Sequence, residues 1–258
     1  MTSSAVHPLV EMRGIGKNFG AVCALENVDL VLHEKEILGL IGDNAAGKST
    51  LMKILAGVHK ADRGTILMNG QPVRIGSPID ARNLGVEMIY QDFSLSPNLS
   101  IADNIFLGRE ETRRFLGVPF LNRKKMRQLS REVLAYTDVR IGSVDALVTE
   151  LSGGQQQAVA IARATAFKSK IIVMDEPTAS LSIKTIPPVL NLMNRLRDSG
   201  KAIIFITHRI QDIFSTCDRI MVLRRGMCAG VAYKKDTSVQ EVTALITGAK
   251  EGFGTPCA

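Results

Sequence analysis

The stretch Gly42-Asp43-Asn44-Ala45-Ala46-Gly47-Lys48-Ser49-Thr50 limits what this chain can become more than any other segment. Its spacing, G-x-x-x-x-G-K-S, is that of a phosphate-binding loop, which requires an apolar strand leading in and a helix leading out. Both are legible, as Leu38–Ile41 before it and Ser49–Leu55 after it. The glycines let backbone N–H groups close around phosphate oxygens, and the helix N-terminus adds partial positive charge. Lys48 then reaches the terminal phosphates, and the Ser49 hydroxyl is placed for Mg²⁺. The bland alternative is a strand-to-helix turn that binds nothing, and the Lys-Ser pair at its end argues against that.

Two further motifs gain meaning from the loop. Ile171–Met174 is a buried apolar strand closed by Asp175 and Glu176. Alone, that is an ordinary strand end; next to a phosphate loop, Asp175 is placed to hold Mg²⁺ and Glu176 to orient an attacking water. Leu151-Ser152-Gly153-Gly154-Gln155 precedes an amphipathic stretch, Gln156–Phe167. Ser152 can cap that helix, and the glycines permit close backbone approach, so this is a second N-terminal anion site. Two such sites about a hundred residues apart suggest that one serves a neighbouring molecule.

The short apolar runs Ile37–Ile41, Ile171–Met174 and Ala202–Ile206 read as buried parallel strands. Helical stretches, Lys48–Leu55, Arg123–Tyr136, Gln155–Phe167 and Val189–Arg197, lie between or beside them, which implies right-handed βαβ units. Val10–Arg13, Ala21–Leu25 and Val28–Leu32 have no helices between them and predict an antiparallel flap. Ile220–Leu223 and Met227–Val231 predict a hairpin around Arg224-Arg225-Gly226. Residues 97–151 carry helical patterns without a convincing buried strand and read as an inserted lobe, and 252–258 as a loose tail.

Ordinary globular composition (45% apolar, 22% charged) excludes disorder and fibrous repeats. The net charge of +7 suits an anionic partner but does not choose one, and no basic patch interleaved with aromatics points to nucleic acid. Cys23, Cys217, Cys228 and Cys257 have neither metal-site nor disulfide-framework spacing, so a reducing compartment is expected. The N-terminus lacks signal-peptide form, and no apolar run approaches the roughly 20 residues of a membrane span.

With these motifs in this order, the chain resembles the nucleotide-binding subunit of ATP-binding-cassette (ABC) transporters over nearly its whole length. In that likeness Gly42–Ser49 is the Walker A loop, Asp175-Glu176 closes Walker B, and Leu151–Gln155 is the signature LSGGQ. The resemblance adds three residues that mean little alone. Gln91, otherwise a solvated loop amide, becomes the Q-loop group shared between Mg²⁺, the γ-phosphate and the membrane partner. His208, otherwise a strand-end histidine, becomes the switch histidine, and Phe19, otherwise core, becomes the ring stacked on adenine.

The resemblance implies a P-loop NTPase (RecA-like) α/β core with a mostly parallel sheet, an N-terminal antiparallel flap and an inserted helical subdomain. Residues 1–258 are then one nucleotide-binding domain. The expected ligands are ATP and Mg²⁺, and the catalytic set is Glu176, His208, Gln91 and Lys48. Phe19, the loop residues Gly42, Asp43, Asn44, Ala45, Ala46, Gly47, Lys48, Ser49 and Thr50, and Ser152, Gly153, Gly154 and Gln155 would hold nucleotide. Ser49, Gln91 and Asp175 would hold the metal. Expected partners are transmembrane permease subunits, a second copy of the chain in a head-to-tail dimer and, indirectly, a sugar-binding protein, at the cytoplasmic face of the membrane and without nucleic acid.

Gln155-Gln156-Gln157, the segment Leu95–Gly108 and Arg109-Glu110 narrow the likeness to ATPases of ribose- and fructose-type monosaccharide importers. Ala45 departs from the usual Gly and Ser182 from the usual Asp, and one cassette stands here where ribose-type chains fuse two. The competing readings are the ATPase of an exporter or another importer, and a soluble ABC ATPase acting on nucleic acid or a scaffold. The sugar-branch segments disfavour the first; the lack of coiled-coil insertions or paired cassettes disfavours the second. A small loop residue should be harmless at position 45 if its φ is negative.

Overall fold

The computed structural model describes residues 8–115, 118–137, 139–179, 181 and 183–250. Position 182 and the expected tail at 252–258 lie outside them. The chain divides into two compact units: Met1–Met88, Lys170–Glu176 and Met193–Ala258 form the first, and Ile89–Ser169 with Pro177–Leu192 the second.

The first unit begins with β1 (Val10–Phe19), β2 (Val22–Leu32), β3 (Ile37–Gly42), α1 (Lys48–Leu55), β4 (Arg63–Met68), β5 (Gln71–Val73), α2 (Pro78–Asn83) and β6 (Val86–Ile89). β1, β2, β4 and β5 make an antiparallel sheet in the order β2-β1-β4-β5. The flap is therefore four-stranded. The two runs Ala21–Leu25 and Val28–Leu32 are one strand, because Asn27, at φ 48°, carries the chain through an irregularity without ending the pairing.

The second unit contributes α3 (Ile101–Phe106), β7 (Thr112–Phe115), β8 (Val118–Leu121), α4 (Arg123–Ala135) and α5 (Gly153–Thr165). Its core gathers Ile101, Ile105, Phe106, Met126, Leu134, Val159 and Ala162, with Phe106 edge-on to Phe167 at 5.7 Å. The hairpin β7–β8 has an exposed second strand, so a reading based on buried runs passed over it.

Returning to the first unit, the chain adds β9 (Ile171–Asp175), β10 (Ala202–Ile206), α7 (Ile210–Thr216), β11 (Arg219–Arg224), β12 (Met227–Tyr233) and α8 (Val239–Thr247); α6 (Ile186–Asp198) runs between β9 and β10. The principal sheet has the order β12-β11-β3-β10-β9-β6. β10 pairs in parallel with β3 on one side and β9 on the other, and β11 pairs in parallel with β3. The predicted hairpin is the antiparallel β11–β12 pair, and it completes this sheet. All residues of β3, β9 and β10 are buried, which is why they lack the alternation of a half-exposed strand.

Ile206 is level with Leu40 of β3 and with Asp175 of β9. The chain thus leaves all three strands at the same, carboxyl-terminal end of the sheet, and the segments after Ile41, Met174 and Ile206 become neighbours. Among the described residues no helix is long and apolar enough to cross a membrane. Among the described residues, Cys23 is an exposed free thiol and Cys217 a buried one.

Candidate nucleotide site

Helix α1 starts without a side-chain cap: Gly47 is its N-cap at φ 98°. By contrast α4, α5 and α8 are capped by Asn122, Ser152 and Ser238. The first N–H groups of an uncapped helix have no intrahelical acceptor, so α1 presents them to whatever the loop encloses. Only glycine fits at position 47, since a Cβ would lie 2.8 Å from the Ala24 carbonyl oxygen and 2.7 Å from Leu25. The loop is held from outside by the β11–β12 turn, where Gly226 N–H donates to Ala46 O at 3.1 Å and Gly226 O accepts from Glu26 N–H at 2.8 Å.

Within this frame Lys48 is buried, and its Nζ donates to Gly42 O and Asp43 O, each at 2.8 Å. Burial pulls its pKa down, while the Glu176, Asp175 and Asp43 carboxylates push it back up. The opposite holds for Asp175, whose carboxyl is raised by burial, with its hydrogen bond from Ser49 acting against that. Ser49 Oγ lies 3.4 Å from Asp175 Oδ1. A hydroxyl and a buried carboxylate are hard oxygen donors and suit Mg²⁺, which takes few protein ligands and keeps waters.

Glu176 sits one residue beyond β9 at φ 52°. A left-handed backbone at a residue with a Cβ is costly, of the order of 1–3 kcal/mol, and is characteristic of functional sites. Its N–H donates to Ile206 O at 3.0 Å, and its Oε2 lies 2.6 Å from Nδ1 of His208, which follows β10. The carboxylate is largely shielded, at 16% exposure, whereas the imidazole is 61% exposed. A screened base oriented by an accessible imidazole can hold and align a water molecule.

Phe19 ends β1 with its ring 44% exposed. His59 packs edge-on against it at 5.2 Å, and Lys17 Nζ lies 5.4 Å from its centre. Sequence reasoning missed both neighbours. The Lys17-x-Phe19 spacing on β1 could have revealed Lys17; nothing local reveals His59.

Ala45 is not at negative φ. It stands at φ 64°, between exposed Asn44 and buried Ala46, so the condition on which it should be harmless fails. A loop that turns successive N–H groups inward needs a left-handed residue here, and the Cβ is strained in it. Replacing Ala45 by Gly is expected to raise unfolding stability by about 1 kcal/mol, measured by denaturant titration. An unchanged or lowered midpoint would mean the loop is not strained at this position.

In the second unit, Ser152 caps α5 by a reciprocal capping box: its Oγ accepts from Gln155 N–H at 3.4 Å, and Gln155 Oε1 accepts from Ser152 N–H at 3.0 Å. The Gln155 amide also donates to Arg140 O at 3.0 Å. A Cβ on Gly153 or Gly154 would meet nothing within 4 Å, which leaves that backbone open to close approach. Gln157, just beyond, is buried and ties its amide to Pro177 O at 2.7 Å. Gln91 lies in the turn after Ile89 and is exposed.

Residues 25–179 match the family model described as ABC transporter. Over 93% of this chain and 94% of the relative, the sequence is 46% identical to the xylose/arabinose import ATP-binding protein XylG of Sulfolobus acidocaldarius. It is 42% identical to the fructose import ATP-binding protein FrcA of Rhizobium meliloti, over 96% of each. It spans about half of the ribose import ATP-binding proteins it matches, as with RbsA 1 of Burkholderia cenocepacia, at 44% identity over 48% of that protein. Among solved structures, the dimeric cassette MJ0796 in a post-hydrolysis state with ADP and Pi superposes at TM-score 0.74 with 26% identity, over 87% of this chain and 98% of that one. With the loop, the strand-end carboxylates and the capped signature helix all in place, the chain belongs to the ABC transporter family, as one of its ATP-hydrolysing cassettes.

Proposed function

We propose that this chain is the motor subunit that powers uptake of a monosaccharide through membrane-spanning permease subunits. The observation that carries the reading is the cluster at the carboxyl-terminal ends of the central strands of the principal sheet. There Lys48, Ser49 and Asp175 lie on adjoining segments with the 2.6 Å pair of Glu176 and His208. The sugar class is supported by the likeness to XylG, a xylose/arabinose import protein, and FrcA, a fructose import protein, each matched over more than nine-tenths of its length.

In this reading Phe19 stacks on adenine, and Gly42 to Thr50 wrap the phosphates through loop amides and Lys48. Ser49, Asp175 and Gln91 would hold Mg²⁺, which when bound offsets phosphate charge. Glu176 orients the attacking water, and His208 holds Glu176 in place. Ser152, Gly153 and Gly154 meet the nucleotide of a second copy arranged head to tail. The chain acts as one nucleotide-binding domain, with residues 97–151 as the lobe facing the permease. It sits peripherally on the cytoplasmic face, and a sugar-binding protein delivers cargo on the other side.

The test is uptake of labelled xylose, arabinose, ribose and fructose by a host lacking this gene. The wild-type chain, expressed with its neighbouring permease genes, should restore uptake of at least one sugar, and Lys48→Ala should restore none. Restoration by both, or by neither, would overturn the reading.

A further inference from the structure

We propose that Arg163 is a positioning residue that fixes the turn carrying Gln91 to the signature helix. Phe93 and Ser94, two and three residues past Gln91, stand at φ 58° and 45°. Consecutive left-handed residues with side chains are disfavoured and persist only where the surroundings impose them. Three restraints act on this turn. Phe93 N–H donates to Tyr90 O at 2.9 Å, and Ser94 donates to Asp92 Oδ1 from N at 3.1 Å and from Oγ at 2.8 Å. The third comes from outside: the Arg163 guanidinium on α5 donates through one nitrogen to Ser94 O at 2.7 Å and through the other to Phe93 O at 2.8 Å.

Two parallel donors on one rigid plane suit two successive carbonyls, whereas a lysine ammonium is a single point on a flexible stem. Arg163 stands two residues before the end of α5, and Ser152 caps that helix at its start. One thirteen-residue helix therefore carries the signature at its first turn and a clamp on the Gln91 turn at its last. A shift imposed at Ser152 moves Arg163 as part of the same rigid rod, and the two carbonyls follow. This rests on the roles proposed above for Gln91 and Ser152, and it adds the part that joins them.

The test uses the purified full-length chain as wild type, Arg163→Ala, Arg163→Lys and Arg163→Ala with Ser94→Gly. Hydrogen exchange reads the Phe93 and Ser94 amides, and ATP hydrolysis is resolved into kcat and KM. In Arg163→Ala those amides should exchange at least about tenfold faster, with kcat down about tenfold and KM within about twofold. Arg163→Lys should behave like Ala, because it cannot bridge both carbonyls. Glycine at 94 accepts the left-handed backbone freely, so the double variant should regain much of the lost kcat; a merely structural role would not give that rescue. Unchanged exchange, or full activity with lysine, would overturn the clamp. Faster exchange with unaltered kcat would instead overturn the role of Gln91. If Arg163→Ala does not fold, Arg163→Lys with and without Ser94→Gly decides the same questions.

Discussion

Lys48→Ala is expected to abolish nucleotide-dependent function. Lys48 is the sole cation between Gly42 and Thr50, and its ammonium is poised on the Gly42 and Asp43 carbonyls at the mouth of the loop. Its burial makes its charge costly unless paired, so exchanging two carbonyls for phosphate oxygens is favourable. Losing the charge-assisted interaction with phosphate, about 1.5–3 kcal/mol for one such bond, should weaken ATP binding by roughly one to two orders of magnitude, since about 1.4 kcal/mol is tenfold. Hydrolysis should fall further, because charge develops on the phosphoryl group in the transition state. Equilibrium binding of a fluorescent ATP analogue checks the first and phosphate release the second. Unchanged affinity and turnover would remove the loop from the site.

Glu176→Gln should separate binding from hydrolysis. The amide keeps the size of the side chain and can still meet His208, but it loses the charge and basicity needed to activate water. Hydrolysis is expected to drop by a factor of the order of 10² to 10⁴. Lys48, Ser49 and Asp175 are untouched, so ATP should bind about as well as in the wild type. With hydrolysis blocked, a sandwich of two chains, bridged from the Lys48 loop of one to Ser152 of the other, should persist. Sizing chromatography of the variant with and without ATP and Mg²⁺ should show a shift from one copy to two. Wild-type hydrolysis would remove Glu176 from the mechanism, and an inactive variant that stays single with ATP would count against the two-copy arrangement.

The catalytic strands were legible because burial on both faces leaves unbroken apolar runs: Ala202–Ile206 is bounded as read, and β3 and β9 each extend one residue further. The signature helix begins at Gly153, two to three residues before the amphipathic pattern, since its first turn is defined by the Ser152 cap rather than by hydrophobic spacing. What periodicity could not carry is conformation set by contact. Asn27 lets β2 run on through a segment that reads as two strands. Ala45 reads as harmless only if its φ is negative, and the loop holds it at φ 64°. Arg163 reads as one more cation on a helix; its meaning lies in two carbonyls about seventy positions earlier in the chain, a pairing no local pattern contains. The β7–β8 hairpin escaped for the converse reason, that exposed short strands leave no apolar run.

Whether the carboxyl-terminal end of this sheet is a hydrolytic ATP site is tested most directly by phosphate release from ATP by the purified wild-type chain, with Mg²⁺ and with Mg²⁺ removed by EDTA. Ser49 and the buried Asp175, 3.4 Å apart, are the residues proposed above to hold the cation. Steady release is expected with Mg²⁺ and none above background with EDTA, restored when Mg²⁺ is returned in excess. Release that proceeds equally without the cation, or no release with it while ATP binds, would mean that these residues are not a Mg²⁺-dependent hydrolytic site.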